Sequence, residues 1–120
     1  MPALAEFTTI VLDCADPDQL TDFYRKVTGW EVTYRDEHCV HLGNGGPIQL
    51  GLQRVEGYRP PSWPDPAKQA HLDFTITDLG SAVKELLAIG ATMPEFQPGG
   101  DEWVVLADPQ GHLFCLIGSD

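Results

Sequence analysis

The stretch DCADPDQLTDFYRKVTGW, residues 13–30, decides the fold, because it contains a complete helix with both of its end signals. Asp16 is a good N-cap residue, and Pro17 has the backbone angle that the first turn requires. Apolar side chains recur at helical spacing from Leu20 to Val27 and give the helix one apolar face. Gly29 follows as a typical helix end. The stretch therefore predicts a helix that begins after Asp16 and ends at Gly29.

The same pattern returns in the second half of the chain. A short β-branched and apolar run at 10–14 precedes the first helix, and a similar run, Leu72–Ile76, stands 62 positions later. Asp78 then occupies the N-cap position of a second helical stretch, which ends at Gly90. An internal repeat of this kind predicts two modules of one architecture.

Each helix is followed by three strand-sized segments separated by turn-forming residues. They are predicted at 30–35, 39–42 and 48–53 in the first half, and at 92–96, 103–107 and 113–117 in the second. Each half therefore reads βαβββ, at about 6–55 and about 70–118, and we expect a single α+β domain over residues 1–120. The segment 57–66 between the halves contains four prolines and is predicted to be a semi-rigid connector.

Composition limits the possible partners. The 120 residues include 18 Asp and Glu against 7 Lys and Arg, a net charge of −11. This balance argues against nucleic acid and anionic membrane surfaces as partners, and it is compatible with a cationic small molecule. No leader pattern or membrane-length apolar run is present, and the cysteines Cys14, Cys39 and Cys115 are too widely spaced for a disulfide framework. A cytoplasmic location with reduced thiols is expected.

Together with HLDFTITDL at 71–79 and LADPQGHLFCL at 106–116, the first stretch resembles the vicinal oxygen chelate superfamily. This superfamily contains glyoxalases, bleomycin-resistance proteins and extradiol dioxygenases, and the chain looks most like its small bacterial glyoxalase-like members. The resemblance implies that the two modules form a curved, cup-like mixed sheet and that the protein is a homodimer. Active relatives hold a divalent metal with His and Glu ligands from the first and last strands of each module.

Carried over to this chain, the resemblance gives a degenerate metal site. The first-strand position is Thr9 in module one and His71 in module two. The last-strand position is Cys115 in module two and either Gln49 or Gly51 in module one. His71 and Cys115 are thus the candidate ligands for Zn, Ni, Mn or Fe(II), and two are too few for a typical site. We therefore expect no metal cofactor, with a drifted site of His71, Cys115 and unassigned partners as the alternative.

Two functions follow from the resemblance, and whether the protein is an enzyme stays open. The first is small-molecule binding in the cup, of a sequestration or resistance type. The second is metal-dependent lyase, isomerase or dioxygenase activity. His71 could also act as a general base without metal, or be structural, and Cys115 could be an inert thiol. The predicted ligand-binding residues are the polar and aromatic candidates of the cup and its mouth: Thr9, Gln49, Gln53, Tyr58, Trp63, His71, Trp103 and Cys115.

Overall fold

The computed structural model describes residues 3–119, and in this range it has two helices and seven strands. In chain order they are β1 (Thr9–Cys14), α1 (Pro17–Thr28), β2 (Glu31–Arg35), β3 (Cys39–Gly43), β4 (Gln49–Arg54), β5 (Leu72–Ile76), α2 (Leu79–Ala88), β6 (Trp103–Ala107) and β7 (Leu113–Gly118). The chain divides into two compact units, the first ending at Tyr58 and the second beginning at Arg59. The predicted α+β fold is confirmed. Among the described residues, neither helix is long and apolar enough to cross a membrane.

The first unit is a four-stranded sheet with α1 against it. The strand order is β1-β4-β3-β2, with β1 parallel to β4 and the other pairs antiparallel. Helix α1 contacts β3 and β4 and buries Leu20, Phe23 and Tyr24 on the predicted apolar face. Apolar burial on one helical stripe is therefore what holds this helix to its sheet.

The ends of α1 are fixed by the residues that the sequence indicates. The carboxylate of Asp16 accepts hydrogen bonds from the backbone N–H groups of Asp18 and Gln19, at 3.1 and 3.3 Å. Gly29 has a φ of 72°, a left-handed conformation that a residue without a Cβ adopts at little cost. Its N–H donates to the carbonyl of Arg25 and closes the last turn.

The second unit repeats the parallel pair with one strand fewer. Its sheet has the order β5-β7-β6, with β5 parallel to β7 and β6 antiparallel to β7. Helix α2 begins after Asp78, whose carboxylate accepts from the N–H of Ser81, and it lies against β7. The repeat deduced from sequence is thus present in both units.

The prediction of a strand at 92–96 is wrong. In this segment only Thr92 pairs, through an isolated bridge to Ala107 of β6. Pro94 has no N–H to donate, which prevents a regular ladder. The side chain of Gln97 instead bonds the backbone of β6. Its amide nitrogen donates to the carbonyl of Val105 at 2.8 Å, and its oxygen accepts from the Val105 N–H at 2.9 Å. A side-chain amide therefore completes the hydrogen bonding that a fourth strand of this sheet would have provided.

Candidate functional site

The second unit contains an open cavity of about 360 Å³ on one face of its sheet. Its walls come from β6, β7, the start of β5 and the connecting segments. The lining residues are Trp63, Lys68, His71, Asp73, Pro98, Trp103, Val105, Leu113, Cys115 and Ile117. Most of this surface is apolar, and the polar groups gather along the β5 edge.

The floor of the cavity follows from strand alternation. Leu113, Cys115 and Ile117 are two positions apart on β7, so their side chains share one face. The register of β6 places Val105 beside Cys115 and Trp103 beside Ile117 on that same face. The residues between them on β7 point the other way into the core, where Phe114 and Leu116 are buried. One strand pair thus supplies a core face on one side and the cavity floor on the other, where Val105 and Leu113 are themselves almost fully buried.

Two tryptophans form the aromatic wall. The indole N–H of Trp63 donates to the carbonyl of Phe96 at 3.0 Å, and the ring centroids of Trp63 and Phe96 lie 5.9 Å apart. Trp103 lies directly over Gly99, where an added Cβ would come within 2.5 Å of the indole ring. Both large side chains are therefore held in place by contacts outside the cavity.

The polar edge is a chain of three hydrogen-bonded side chains. Nε2 of His71 lies 3.0 Å from Oδ1 of Asp73, and Nδ1 of His71 lies 3.2 Å from Nζ of Lys68. The lysine ammonium also lies 5.5 Å from the ring centroid of Trp63, within cation–π distance. A positive group, an imidazole and a carboxylate therefore follow one another along the rim.

Cys115 adjoins this chain on the cavity floor. The parallel register places it beside Asp73, and its side chain is partly buried. Burial raises the pKa of the Cys115 thiol, and the negative charge of Asp73 raises it further. The thiol is consequently protonated at neutral pH and is a weak nucleophile. This agrees with the interpretation of Cys115 as an inert thiol.

His71, Asp73 and Cys115 are the one group of possible metal ligands found in residues 3–119, with ligand atoms within 4.8 Å of one another. Nitrogen, oxygen and sulfur donors of this kind suit zinc. The hydrogen bonds of His71 argue against a bound metal. Lys68 can only donate to Nδ1 and Asp73 can only accept from Nε2, so the proton lies on Nε2. The imidazole is then left with no lone pair for a metal. A ligating imidazole normally donates one N–H to an acceptor, as His71 does to Asp73, and binds the metal through the lone pair of its other nitrogen, which Lys68 already occupies here. The residues as arranged do not fit a bound metal.

The first unit does not supply the missing ligands at the positions that correspond by register. Val11 pairs with Gly51 in β1 and β4, as Asp73 pairs with Cys115 in β5 and β7. By this register Gly51 is the position that corresponds to Cys115. An added Cβ at Gly51 would lie 3.2 Å from Thr9 and 3.3 Å from His41, so close packing explains the glycine.

The predicted site residues divide between the two units. Four of the eight line the cavity: Trp63, His71, Trp103 and Cys115. The other four lie in the first unit, with Thr9 on β1, Gln49 and Gln53 on β4, and Tyr58 after β4. Thr9 and Gln49 are register partners, and Gln53 is exposed. A role for these four in ligand binding stays a prediction.

Sequence reasoning missed two residues of the polar edge. Asp73 could have been found, because it stands two positions after His71 on a predicted strand and so shares its face. Lys68 carries no such signal. It lies in a turn where its N–H donates to the carbonyl of Asp65, and no periodic pattern relates it to the strands.

The fold and the cavity define a class: α+β proteins of two repeated units that offer a pocket on a sheet face. Residues 9–117 match the family model described as a glyoxalase-like domain. The chain belongs to this family and to the vicinal oxygen chelate superfamily. A comparison with curated protein sequences gives no match.

Solved structures agree with this fold. A glyoxalase/bleomycin resistance protein/dioxygenase family enzyme from Burkholderia phytofirmans PsJN is similar with a TM-score of 0.73 and 20% identity, over 95% of this chain and 98% of that one. Protein ATC0852 from Agrobacterium tumefaciens gives a TM-score of 0.72 and 18% identity, over 98% and 99%. A bleomycin-binding protein from Streptomyces verticillus, complexed with copper(II)-bleomycin, gives 0.60 and 17% over 100% of both chains. At these identities the likeness extends to the fold alone.

Proposed function

We propose that the protein binds a small apolar or aromatic molecule in the cavity of its second unit, without a metal ion. The observation that carries the proposal is the cavity itself: two fixed tryptophans and an apolar floor face a short polar edge. Its volume of about 360 Å³ suits a small organic ligand. Apolar walls supply binding energy, and a few directed polar groups supply orientation.

A binding role is favoured over catalysis by the state of the cavity's reactive groups. The raised pKa of Cys115 disfavours a thiolate nucleophile, and both ring nitrogens of His71 already have partners. A general base needs a free lone pair directed at the substrate.

Sequestration of a toxic or antibiotic molecule is the form of binding we propose. Cys14, Cys39 and Cys115 form no disulfide with one another, which supports a reducing compartment, so the proposed setting is the bacterial cytoplasm, with the protein as a homodimer.

The test is a ligand screen read by thermal stabilisation and confirmed by calorimetry. The panel contains neutral, anionic and cationic aromatic compounds, and a ligand at about 100 times its Kd should stabilise the protein by about 2.7 kcal/mol. Trp103→Leu removes half of the aromatic wall and should abolish saturable stabilisation. Trp30→Leu is the matched control, since Trp30 lies in the first unit outside this cavity.

Two results would overturn the proposal. One is a panel in which no compound gives saturable binding to the wild-type protein. The other is equal binding by wild type and Trp103→Leu, provided that circular dichroism shows the variant to be folded. In that second case the ligand would occupy a different part of the protein.

The second candidate is a metal-dependent enzyme, which would need the hydrogen bonds of His71 to rearrange so that His71, Asp73 and Cys115 could act as ligands. Elemental analysis of the untagged protein and titration with Zn, Ni, Mn and Fe(II) separate the two candidates. We expect less than stoichiometric metal. One tightly bound ion per chain that is lost in His71→Ala would establish the metal centre and contradict the metal-free proposal.

A further inference from the structure

Lys68 is the one lysine or arginine among the described residues that line the cavity. Arg25 and Arg35 form ion pairs with carboxylates on the protein surface. Lys68 has no carboxylate within ion-pair distance among residues 3–119, although the chain has 18 acidic residues against 7 basic ones. Its contacts in the cavity are the imidazole of His71 and the ring of Trp63.

The hydrogen bonds of the polar edge run in one direction. An ammonium only donates and an ionised carboxylate only accepts, so Lys68 donates to Nδ1 of His71, and Nε2–H of His71 donates to Asp73. The imidazole between them is therefore neutral and in the Nε2–H form. The positive charge lies at the Lys68 end of the chain and the negative charge at the Asp73 end.

The Lys68 ammonium has donor capacity to spare. It carries three N–H groups and uses one on His71, which leaves two for a ligand. It also lies 5.5 Å from the ring centroid of Trp63, so an anionic group bound to Lys68 would lie next to the aromatic wall. A charge-assisted hydrogen bond to an anion in such a partly desolvated place is stronger than a neutral one.

We propose that the ligand of this cavity is a planar apolar molecule that carries a carboxylate or an equivalent oxyanion, with Lys68 as its charge anchor. The inference rests on the proposed function and names the ligand class. The anionic group lies toward Lys68, and the apolar remainder of the molecule lies over the floor of the cavity. The local charge at Lys68 thus favours an anionic ligand, whereas the net charge of −11 is compatible with a cationic one.

Three isosteric probes of different charge test this class: 2-naphthoate, 2-naphthamide and 2-naphthylmethylamine. Calorimetric titration should show that naphthoate binds about tenfold or more tightly than the neutral amide, the range expected for one charge-assisted hydrogen bond. The cationic amine should bind more weakly than the amide. Raising the salt concentration should weaken naphthoate binding and leave amide binding unchanged.

Lys68→Met retains the length of the side chain and removes the charge. It should reduce naphthoate affinity about tenfold and change naphthamide affinity by less than about twofold. Lys84→Met on the exposed face of α2 is the matched control and should change neither. An unchanged naphthoate affinity in Lys68→Met, or tighter binding of the amine, would overturn the inference.

The outcomes also separate this inference from the proposed function. If naphthoate and naphthamide bind equally and both lose binding in Trp103→Leu, the cavity binds ligands and the oxyanion class is wrong. If no naphthyl probe and no compound of the wider panel binds, both proposals fail.

A spectroscopic measurement tests the hydrogen-bond direction by itself. The ¹⁵N chemical shifts of the His71 ring should show a neutral Nε2–H imidazole at neutral pH. They should change in Lys68→Met, because the donor to Nδ1 is then absent. A proton on Nδ1 in the wild-type protein would contradict the arrangement on which the charge order depends.

Discussion

Replacement of Gln97 by Met tests whether one side-chain amide completes the sheet of the second unit. Gln97 makes three hydrogen bonds: two to the backbone of Val105, and one from its amide nitrogen to the carbonyl of Pro94 at 2.9 Å. Val105 is only 2% exposed and lies on β6, the edge strand of this sheet. Its N–H and carbonyl point away from β7, as do those of Ala107, which bond Thr92. Methionine preserves the size of the side chain but cannot form these bonds.

The expected loss of stability follows from the bonds removed. Each net hydrogen bond is worth about 1 kcal/mol, and a backbone group left unsatisfied in a buried place costs about 1–3 kcal/mol. Water that reaches the open edge of β6 would satisfy part of this demand and sets the lower limit. We therefore expect Gln97→Met to reduce the free energy of unfolding by about 2–4 kcal/mol.

Urea unfolding followed by circular dichroism measures this change. At a slope of about 2 kcal/mol/M the midpoint should fall by about 1–2 M with the slope unchanged. Gln69→Met is the matched control, because Gln69 is exposed in the same unit, and it should stay within about 0.5 kcal/mol of wild type. A loss in Gln97→Met no larger than in the control would refute the idea that this amide replaces a strand.

Three further changes have defined outcomes. Asp16→Ala removes the N-cap of α1 and should cost about 1 kcal/mol in urea unfolding, while Asp22→Ala on the exposed face should cost little; equal losses would contradict the capping role. The Tyr34 hydroxyl and two backbone N–H groups lower the pKa of Asp36 from 3.8 to about 2. The ionised carboxylate therefore stabilises the folded protein fully above pH 4, and this stabilisation is lost as the pH falls toward 2. The melting temperature of Asp36→Asn should accordingly differ from wild type at pH 6 and converge with it near pH 2, and a constant difference would argue against this assignment. Because burial raises the pKa of Cys115, iodoacetamide should label it more slowly in the native protein than in urea at pH 8, as measured by mass spectrometry; equal rates would show that the thiol is not shielded.

The local elements were largely predictable because their signals are local. The bounds of α1 follow from Asp16 and Gly29, and the repeat around Asp78 indicates the second module without any knowledge of contacts. The segment at 92–96 was misjudged because Thr92 and Phe96 suit a strand. The side-chain hydrogen bonds of Gln97 to the Val105 backbone, together with the missing N–H of Pro94, decide against a strand there.

The sequence by itself determined the two modules, the family and four of the ten residues that line the cavity: Trp63, His71, Trp103 and Cys115. Only the tertiary structure decided what this site is made of chemically. Lys68 meets His71 through a turn without periodicity, and strand pairing across more than forty residues brings Asp73 beside Cys115. Periodicity tells which side chains share a face of one element. Which polar groups meet, and where the proton between them lies, depends on packing between elements that no local pattern encodes.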